Sequence, residues 1–186
     1  SNDLTIFDLI SVAIDPAVSD DPDSSAETGI TVAGMWREGR RRKYHVLRDV
    51  SMHGTPKARC RAAIHALLEY EANTFVVETN NGGDWIPAAL AAEWELMREE
   101  PGMAELLIGA CPVKTVTASR GKATRAEPIS TMYEQLGTVS HEPDLEVLED
   151  QLVTWSPLLA ERSPDRLDSV VWNLTYLSTA KVFVGT

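Results

Sequence analysis

Apolar and polar positions form short runs that predict strands near the start of the chain. Leu9–Ile14 is an apolar run that ends at Asp15-Pro16, where proline is expected to stop a strand. Gly29–Trp36 and Lys43–Val50 predict two further strands, and the link between them contains Gly39, which favours a hairpin. The first three strands are therefore expected to form an antiparallel meander.

From Thr55 onward, helical periods alternate with strand-like runs. Thr55 is placed to cap the first long helix, and Pro56 suits its first position. The expected elements are the helix Thr55–Glu71, the strand Thr74–Val77, the helix Asp84–Glu99, the strand Val113–Ala118, the helix Lys122–Gln135, the strand Thr138–Ser140 and the helices Leu145–Val153 and Ser163–Ser178. This order predicts an α/β fold, in which a mixed sheet has an antiparallel edge on a partly parallel core and helices on both faces.

The length of the chain, 186 residues, suits a single domain over residues 1–186. Its apolar stretches are too short to span a bilayer, so no membrane partner is expected. Cys60 and Cys111 stand alone, which disfavours a zinc site or a disulfide framework. The chain opens with Ser1-Asn2 and no Met, and we interpret this as an expression remnant or the start of an excised fragment.

The net charge is −11, from 28 acidic and 17 basic residues. This balance argues against a simple nucleic-acid binder, because phosphate contacts need Lys and Arg. The basic residues are nevertheless clustered, at Arg37–Lys43 and Lys114–Arg125. Carboxylates are also what a magnesium-dependent nuclease needs at its centre, so the net charge decides neither way.

Two acidic residues end predicted strands, Asp15 after the first and Glu78 after the strand that follows the first long helix. In open α/β sheets, active residues collect at strand ends. Glu78 opens the polar segment ETNNGGD, and the residues alone leave both a ligand and a simple polar turn open for it. For Asp84 in the same segment they favour a helix N-cap.

A third acidic element is SPDRLDSVVWNLTYL, in which Asp165 and Asp168 share one face near the start of a helix. Carboxylates are common there because they suit the helix dipole, and for Asp165 the residues alone favour that explanation. Asp168 lies at the margin of the expected buried stripe. That stripe consists of Leu167, Val170, Val171, Leu174 and Leu177.

Five stretches together resemble the C-terminal nuclease domain of the large terminase subunit of tailed phages and prophages. In the family's order they are AIDPAVSDDPDSSAETGITVAG, VVETNNGGDW, VKTVTASRGKATRAEPISTMYEQLGTVSH, LEDQLVTWSP and RSPDRLDSVVWNLTYL. They cover nearly the whole chain, and the third and fifth are the most specific. The resemblance implies a ribonuclease-H-like fold that holds two divalent metal ions, Mg²⁺ or Mn²⁺. It also implies an endonuclease that cuts double-stranded phage DNA during genome packaging in the host bacterial cytoplasm.

The resemblance also implies roles for individual residues. Asp15 matches the family's first-strand aspartate, Glu78 its central glutamate and Asp168 its helical aspartate. Our hypothesis is that Asp15 bridges both ions, and that Glu78 and Asp168 each complete one coordination sphere. Asp165 matches a position that helps to hold the second ion in some members. Glu27 lies where some relatives carry an aspartate.

The expected partners follow from the same resemblance. They are double-stranded DNA, the terminase ATPase domain of the same full-length chain, the small terminase subunit and the portal of the procapsid. In the family the ATPase domain lies N-terminal to the nuclease and is absent from this chain. Gly121-Lys122-Ala123-Thr124 lacks the residues of a Walker loop, so no nucleotide site is expected here.

Basic residues supply candidate DNA contacts. Lys114, Arg120, Lys122 and Arg125 lie between a predicted strand and a helix, and both phosphate binding and a solvated surface stay open for them. Arg40–Lys43 on the hairpin is a second candidate, for which a solvated surface is favoured.

Two alternative functions stay open. One is another ribonuclease-H-like nuclease, such as a junction resolvase or a transposase core, although the stretches SRGKATRAEP and SPDRLDS favour terminase. The other is a module that docks on DNA or on the portal and whose cleavage is latent.

Overall fold

A computed structural model describes residues 4–16, 27–79, 85–117, 122–155 and 164–181, except the side chains of 122–125. Within these ranges, strands and helices follow one another in the predicted order. After a short 3₁₀ helix, Leu4–Ile6, the strands are β1 (Leu9–Asp15), β2 (Gly29–Glu38), β3 (Arg41–Asp49), β4 (Thr74–Glu78), β5 (Val113–Val116) and β6 (Val139–His141). The helices are α1 (Pro56–Glu69), α2 (Ile86–Arg98), α3 (Lys122–Glu134), α4 (Glu146–Thr154) and α5 (Asp165–Thr179).

The strands form one sheet in the order β5-β4-β1-β2-β3-β6. The predicted meander is confirmed, because β1 pairs with β2 and β2 with β3, both antiparallel. β4 is parallel to β1, β5 is parallel to β4, and β6 is parallel to β3. The mixed sheet is therefore as expected, but the meander is not at its edge. β6 pairs with the outer side of β3, a long-range contact that no local sequence pattern predicts.

The hairpin between β2 and β3 is tighter than predicted. Glu38 pairs with Arg41, so the turn consists of Gly39 and Arg40 alone. Gly39 has a φ of 63°, a left-handed conformation that glycine adopts without a steric penalty. Both strands extend further toward the turn than predicted. The residues there are mostly charged and give no apolar signal for a strand, but their backbones still pair.

The starts of the first two helices show one prediction confirmed and one shifted. Thr55 accepts a hydrogen bond from the backbone N–H of Ala58 at 3.2 Å, which confirms the predicted cap of α1. In α2 the N-cap residue is Trp85 rather than Asp84, and its side chain makes no capping hydrogen bond. Asp84 itself lies outside the described residues.

Helices cover both faces of the sheet, as predicted. α1 and α2 pack on one face, against a core that includes Ile10, Val12, Ile14 and Phe75. α5 packs on the other face, and α3 and α4 pack against α5. The predicted stripe of α5 is confirmed. Its residues Leu167, Val170, Val171, Leu174 and Leu177 are all buried. Among the described helices, none has the length and apolar character needed to cross a bilayer.

Candidate active site

Two carboxylates end neighbouring parallel strands. Asp15 is the last residue of β1 and Glu78 the last of β4. The strands are in register up to the pair Ile14 and Val77, so the two acids occupy the next position at the same end of the sheet. Asp15 is 8% exposed and Glu78 is 3% exposed. The sheet therefore holds two largely buried carboxylates side by side.

Strand alternation directs both carboxylates to the face covered by α5. Successive side chains of a strand point to opposite faces. Ala13 and Val76 pack against Trp172 of α5, and each lies two residues before one of the acids. Asp15 and Glu78 therefore lie on the same face as that tryptophan, about 6.6 Å further along their strands.

The first turn of α5 reaches the strand end at Gly29. This glycine pairs with Asp15 across β1 and β2. A Cβ atom added to Gly29 would lie 2.0 Å from the backbone carbonyl oxygen of Asp165 and 3.0 Å from the Cβ of Ser169. Gly29 therefore lets the helix backbone approach the sheet directly beside Asp15, which a larger residue would prevent.

Buried hydrogen bonds hold the next turns of α5 in register with β1 and β2. The Ser169 hydroxyl donates to the Thr31 hydroxyl at 2.7 Å. The Asn173 side-chain amide donates to the backbone carbonyls of Ser11 and Thr31 at 3.2 and 2.9 Å, and its oxygen accepts from the Ser11 hydroxyl at 2.5 Å. Because these bonds are directional, they define the rotation of the helix about its axis as well as its position.

This rotation brings Asp168 over the two strand ends. Asp168 precedes Trp172 by four residues, so it lies on the same side of α5, about 6 Å closer to the helix start. It is 5% exposed, whereas Asp165 is half-buried. The structure thus brings Asp15, Glu78 and Asp168 to one end of the sheet on one face, with Asp165 at its rim.

The donor chemistry of these residues fits a hard divalent cation, since all the contributing atoms are carboxylate oxygens. In the described parts of the chain, however, no group of three or more His, Cys, Asp or Glu side chains is already arranged to hold a metal ion. The backbone positions of the acids, at the ends of β1 and β4 and at the start of α5, are compatible with a metal site.

Arg166 is a residue of this region that the sequence did not single out. It donates two hydrogen bonds to the Glu27 carboxylate and one to Asp49. These bonds, chiefly those to Glu27, raise the pKa of Arg166 above its ordinary value, against the opposing effect of burial. Glu27, considered above for its place in the family pattern, is therefore the partner of an arginine in this structure. The pairing spans 139 positions, so no local signal predicts it.

Of the predicted DNA contacts, Lys114 is described most fully. It lies on edge strand β5 opposite Val76, is exposed, and shares the face of Asp15 and Glu78. Lys122 and Arg125 belong to α3, but their side chains lie outside the described part of the structure, and Arg120 lies outside it altogether.

The basic hairpin lies at the opposite end of the sheet from the acids. Its turn follows Glu38, whereas Gly29 at the other end of β2 pairs with Asp15. Arg42 donates to the backbone carbonyls of Leu177, Ser178 and Ala180 at the end of α5, so it caps that helix. Within the second candidate for DNA contacts, Arg40–Lys43, Arg42 therefore has a structural role.

A cavity of about 890 Å³ lies elsewhere, between α3, β6, α4 and α5. In it the Tyr133 hydroxyl contacts Nε2 of His141 at 2.6 Å, and Nδ1 of His141 contacts Glu149 at 2.9 Å. None of the four candidate acids lines this cavity, so it is separate from the site at the strand ends.

A family model described as the terminase RNaseH-like domain matches residues 12–176. The chain belongs to this family. The match covers β1 from residue 12, the other five strands and α5 up to residue 176, so it includes part or all of each element of the candidate site. A comparison with curated proteins finds no match.

Two solved structures share the fold of this terminase-family domain. One is the nuclease domain of the large terminase g2p from bacteriophage SPP1 with bound Mn, at a TM-score of 0.50 and 10% identity, over 92% of this chain and 88% of that chain. The other is the yeast mitochondrial Holliday junction resolvase Ydc2, at a TM-score of 0.53 and 9% identity, over 90% of this chain and 77% of that chain. At such identities the likeness shows the fold alone. Family and fold together support a nuclease.

Proposed function

We propose that this domain is a metal-dependent endonuclease that cuts double-stranded DNA during phage genome packaging. The observation that carries the proposal is the position of Asp15, Glu78 and Asp168 at one end of the sheet, on the face covered by α5. Membership of the terminase RNaseH-like family supports it, as does the likeness to a large-terminase nuclease that contains Mn.

In the proposed mechanism, Asp15, Glu78 and Asp168 would hold two divalent ions, Mg²⁺ or Mn²⁺, and Asp165 would assist at the rim. The chemistry that such ions supply is activation of a water molecule and stabilisation of the departing 3′ oxygen. The water oxygen forms a bond to phosphorus and gives up a proton to solvent, while the bond from phosphorus to that 3′ oxygen breaks and this oxygen takes up a proton. The carboxylates orient the reacting groups because β1, β4 and α5 hold them on rigid elements.

The substrate and partners are proposed on the same basis. Lys114 contributes a phosphate contact beside the carboxylates, and Arg120, Lys122 and Arg125 extend it along the chain. The domain acts in the host bacterial cytoplasm, joined to the terminase ATPase domain and in contact with the small subunit and the portal.

Cleavage of plasmid DNA with Mn²⁺, with Mg²⁺ and with a chelator tests this proposal. We expect cutting with either ion and none with the chelator. Asp15→Asn should slow cutting by roughly 1000-fold or more, since it would remove a charged ligand of the proposed metal site, while the melting temperature changes by no more than about 4 °C. Asp8→Asn is the matched control, because Asp8 lies at the other end of β1 and pairs with Arg37. Normal metal-dependent cutting by Asp15→Asn would rule out the site.

Two alternative functions can be tested alongside this one. The likeness to Ydc2 favours a junction resolvase, and cutting of four-way junctions but not of duplex DNA would support it. The other alternative is a module that docks on DNA or on the portal and whose cleavage is latent. Crystals soaked in Mn²⁺ would distinguish that module from the enzyme, since the enzyme requires ions among Asp15, Glu78 and Asp168.

A further inference from the structure

The guanidinium group of Arg166 links α5 to two separate segments of the chain. Its Nε donates to Oε2 of Glu27 at 2.8 Å, and one terminal nitrogen donates to Oε1 of the same carboxylate. The other terminal nitrogen donates to Oδ2 of Asp49. The side chains of Arg166, Glu27 and Asp49 are 18%, 19% and 5% exposed, so the group is largely shielded from water. A paired contact between guanidinium and carboxylate defines orientation as well as distance.

The two acids that bind Arg166 lie near the start of β2 and at the end of β3, where further hydrogen bonds hold the chain. Asp49 ends β3, and its other oxygen accepts from the backbone N–H of Ser51 at 2.9 Å. The Ser51 hydroxyl accepts from the backbone of Ile30 at 2.9 Å, and Thr28 pairs with Met52 through two backbone bonds of 3.0 and 3.1 Å. Arg166 is therefore bound to a part of β2 and β3 that is itself held by hydrogen bonds.

The first turn of α5 is attached to the sheet differently from its later turns. Its N-cap residue is Pro164, whose side chain makes no capping hydrogen bond. Ser169 and Asn173 bind the sheet from later turns. In the first turn, the contact with Gly29 limits how close the helix comes, and Arg166 draws it toward Glu27 and Asp49.

We propose that Arg166 is a positioning residue of the candidate site. By binding Glu27 and Asp49 it holds the first turn of α5 against the strand ends, so that Asp165 and Asp168 face Asp15 and Glu78. Asp165 directly precedes Arg166 and Asp168 follows two residues later, and the charge of Arg166 is bound to other carboxylates. The inference rests on the proposed metal-dependent nuclease and adds a residue that prepares the site before metal or DNA binds.

The chain contains a matched control for this proposal. Arg61 also joins two acids, donating to Glu93 at 2.8 Å and to both oxygens of Glu100 at 2.7 and 2.8 Å. Glu93 is buried, as Asp49 nearly is. Arg61 lies on α1, on the other face of the sheet from α5. Loss of either arginine breaks a similar ion network, but loss of Arg61 does not release the first turn of α5.

The test compares Arg166→Lys and Arg166→Gln with Arg61→Lys and Arg61→Gln. Binding of Mn²⁺ alone is measured by electron paramagnetic resonance without DNA. Hydrogen exchange is measured at the amide of Asp168, which bonds to the carbonyl of Pro164 at 3.1 Å. Plasmid cutting is followed over a range of Mn²⁺ concentrations. Melting temperatures show how much each change destabilises the domain.

For Arg166→Gln we expect Mn²⁺ binding to weaken about tenfold, in the range for residues that orient metal ligands. The Mn²⁺ concentration for half-maximal cutting should rise about as much, and exchange at Asp168 should quicken about tenfold. Arg166→Lys should fall in between, because lysine keeps the charge but not the paired geometry. The Arg61 variants should change Mn²⁺ binding and exchange less than about twofold at a similar loss of melting temperature.

Unchanged exchange at Asp168 in both Arg166 variants, or equal effects of the Arg166 and Arg61 variants, would overturn the inference. Failure of the proposed function has a different signature. In that case the wild-type chain neither binds Mn²⁺ nor cuts DNA, and the exchange measurement still decides whether Arg166 orders the first turn of α5.

Discussion

The two faces of the sheet are built from alternate residues of the same strands, yet they differ in chemistry. The face under α1 and α2 is apolar, with Val12, Ile30 and Phe75 all fully buried. The face under α5 is apolar near the hairpin but polar toward the strand ends. Its buried polar residues there are Ser11, Asp15, Thr31, Glu78, Asp168, Ser169 and Asn173.

The difference shows that one face of the sheet mainly stabilises the fold, while the other also orients α5. Apolar contact is non-directional, so α1 and α2 need only fill space to stabilise the fold. Hydrogen bonds are directional, so Asn173 and Ser169 determine how α5 is rotated on the sheet. The costly burial of polar groups occurs on the face where three carboxylates must meet.

The largest expected effect tests the apolar face. Phe75→Ala should lower the free energy of unfolding by about 3–5 kcal/mol, because it removes a large, fully buried side chain and leaves a cavity. Urea denaturation measures the loss. Cutting per folded molecule should stay within about twofold of wild type, the opposite of the behaviour expected for Asp15→Asn. A loss of cutting without a loss of stability would break the comparison.

A smaller effect is expected when the two faces of the sheet are compared at two glycines of β2. Gly29→Ala places a methyl group against the Asp165 backbone, whereas Gly34→Ala meets only the ring of Phe7, with ring atoms 2.4–2.8 Å from the new Cβ. A side chain can rotate away more easily than a helix backbone can shift. We expect Gly29→Ala to destabilise by about 1–3 kcal/mol and to slow cutting about tenfold or more.

Gly34→Ala is the matched control, since it lies in β2 on the face of α1 and α2. It should destabilise by about 1 kcal/mol and leave the rate of cutting per folded molecule unchanged. Thermal denaturation and plasmid cutting measure both variants. Equal rates for the two would show that the close approach of α5 at Gly29 does not matter to the site.

The smallest effect concerns the exposed rim. Lys114→Ala should reduce the slope of log binding constant against log salt by about 0.9, the amount expected for one lost phosphate contact. Lys57→Ala is the control, because Lys57 is exposed on α1, on the other side of the sheet. Duplex DNA binding at several salt concentrations provides the measurement. The same slope in both variants and in wild type would remove Lys114 from the proposed interface.

Much of the fold was predictable because its signals are local. Thr74–Val77 is an apolar run whose length and neighbours suit a strand, and Thr55 before Pro56 marks a helix start. The end of the hairpin was not predictable, because its residues are charged and resemble a loop, although the backbones of Glu38 and Arg41 pair. The pairing of β6 with β3 joins segments almost a hundred positions apart, which no local period records.

The candidate site divides in the same way. Strand ends made Asp15 and Glu78 visible as candidates, and the family resemblance proposed their role and that of Asp168. For Asp165, the residues alone favour a helix-dipole explanation. Burial of Asp168 and its place one turn from Trp172 emerge only when the helix is set on the sheet.

The sequence by itself determined the order of the elements, the apolar faces of the strands and α5, and the acids at the ends of β1 and β4. These features follow from the side-chain periods of strands and helices, 2 and 3.6 residues, which can be recognised within a short stretch of sequence. Only the tertiary structure decided the register of α5, the close contact at Gly29 and the binding of Arg166 to Glu27 and Asp49. Such contacts join residues more than a hundred positions apart, and their directional geometry leaves no periodic trace along the chain.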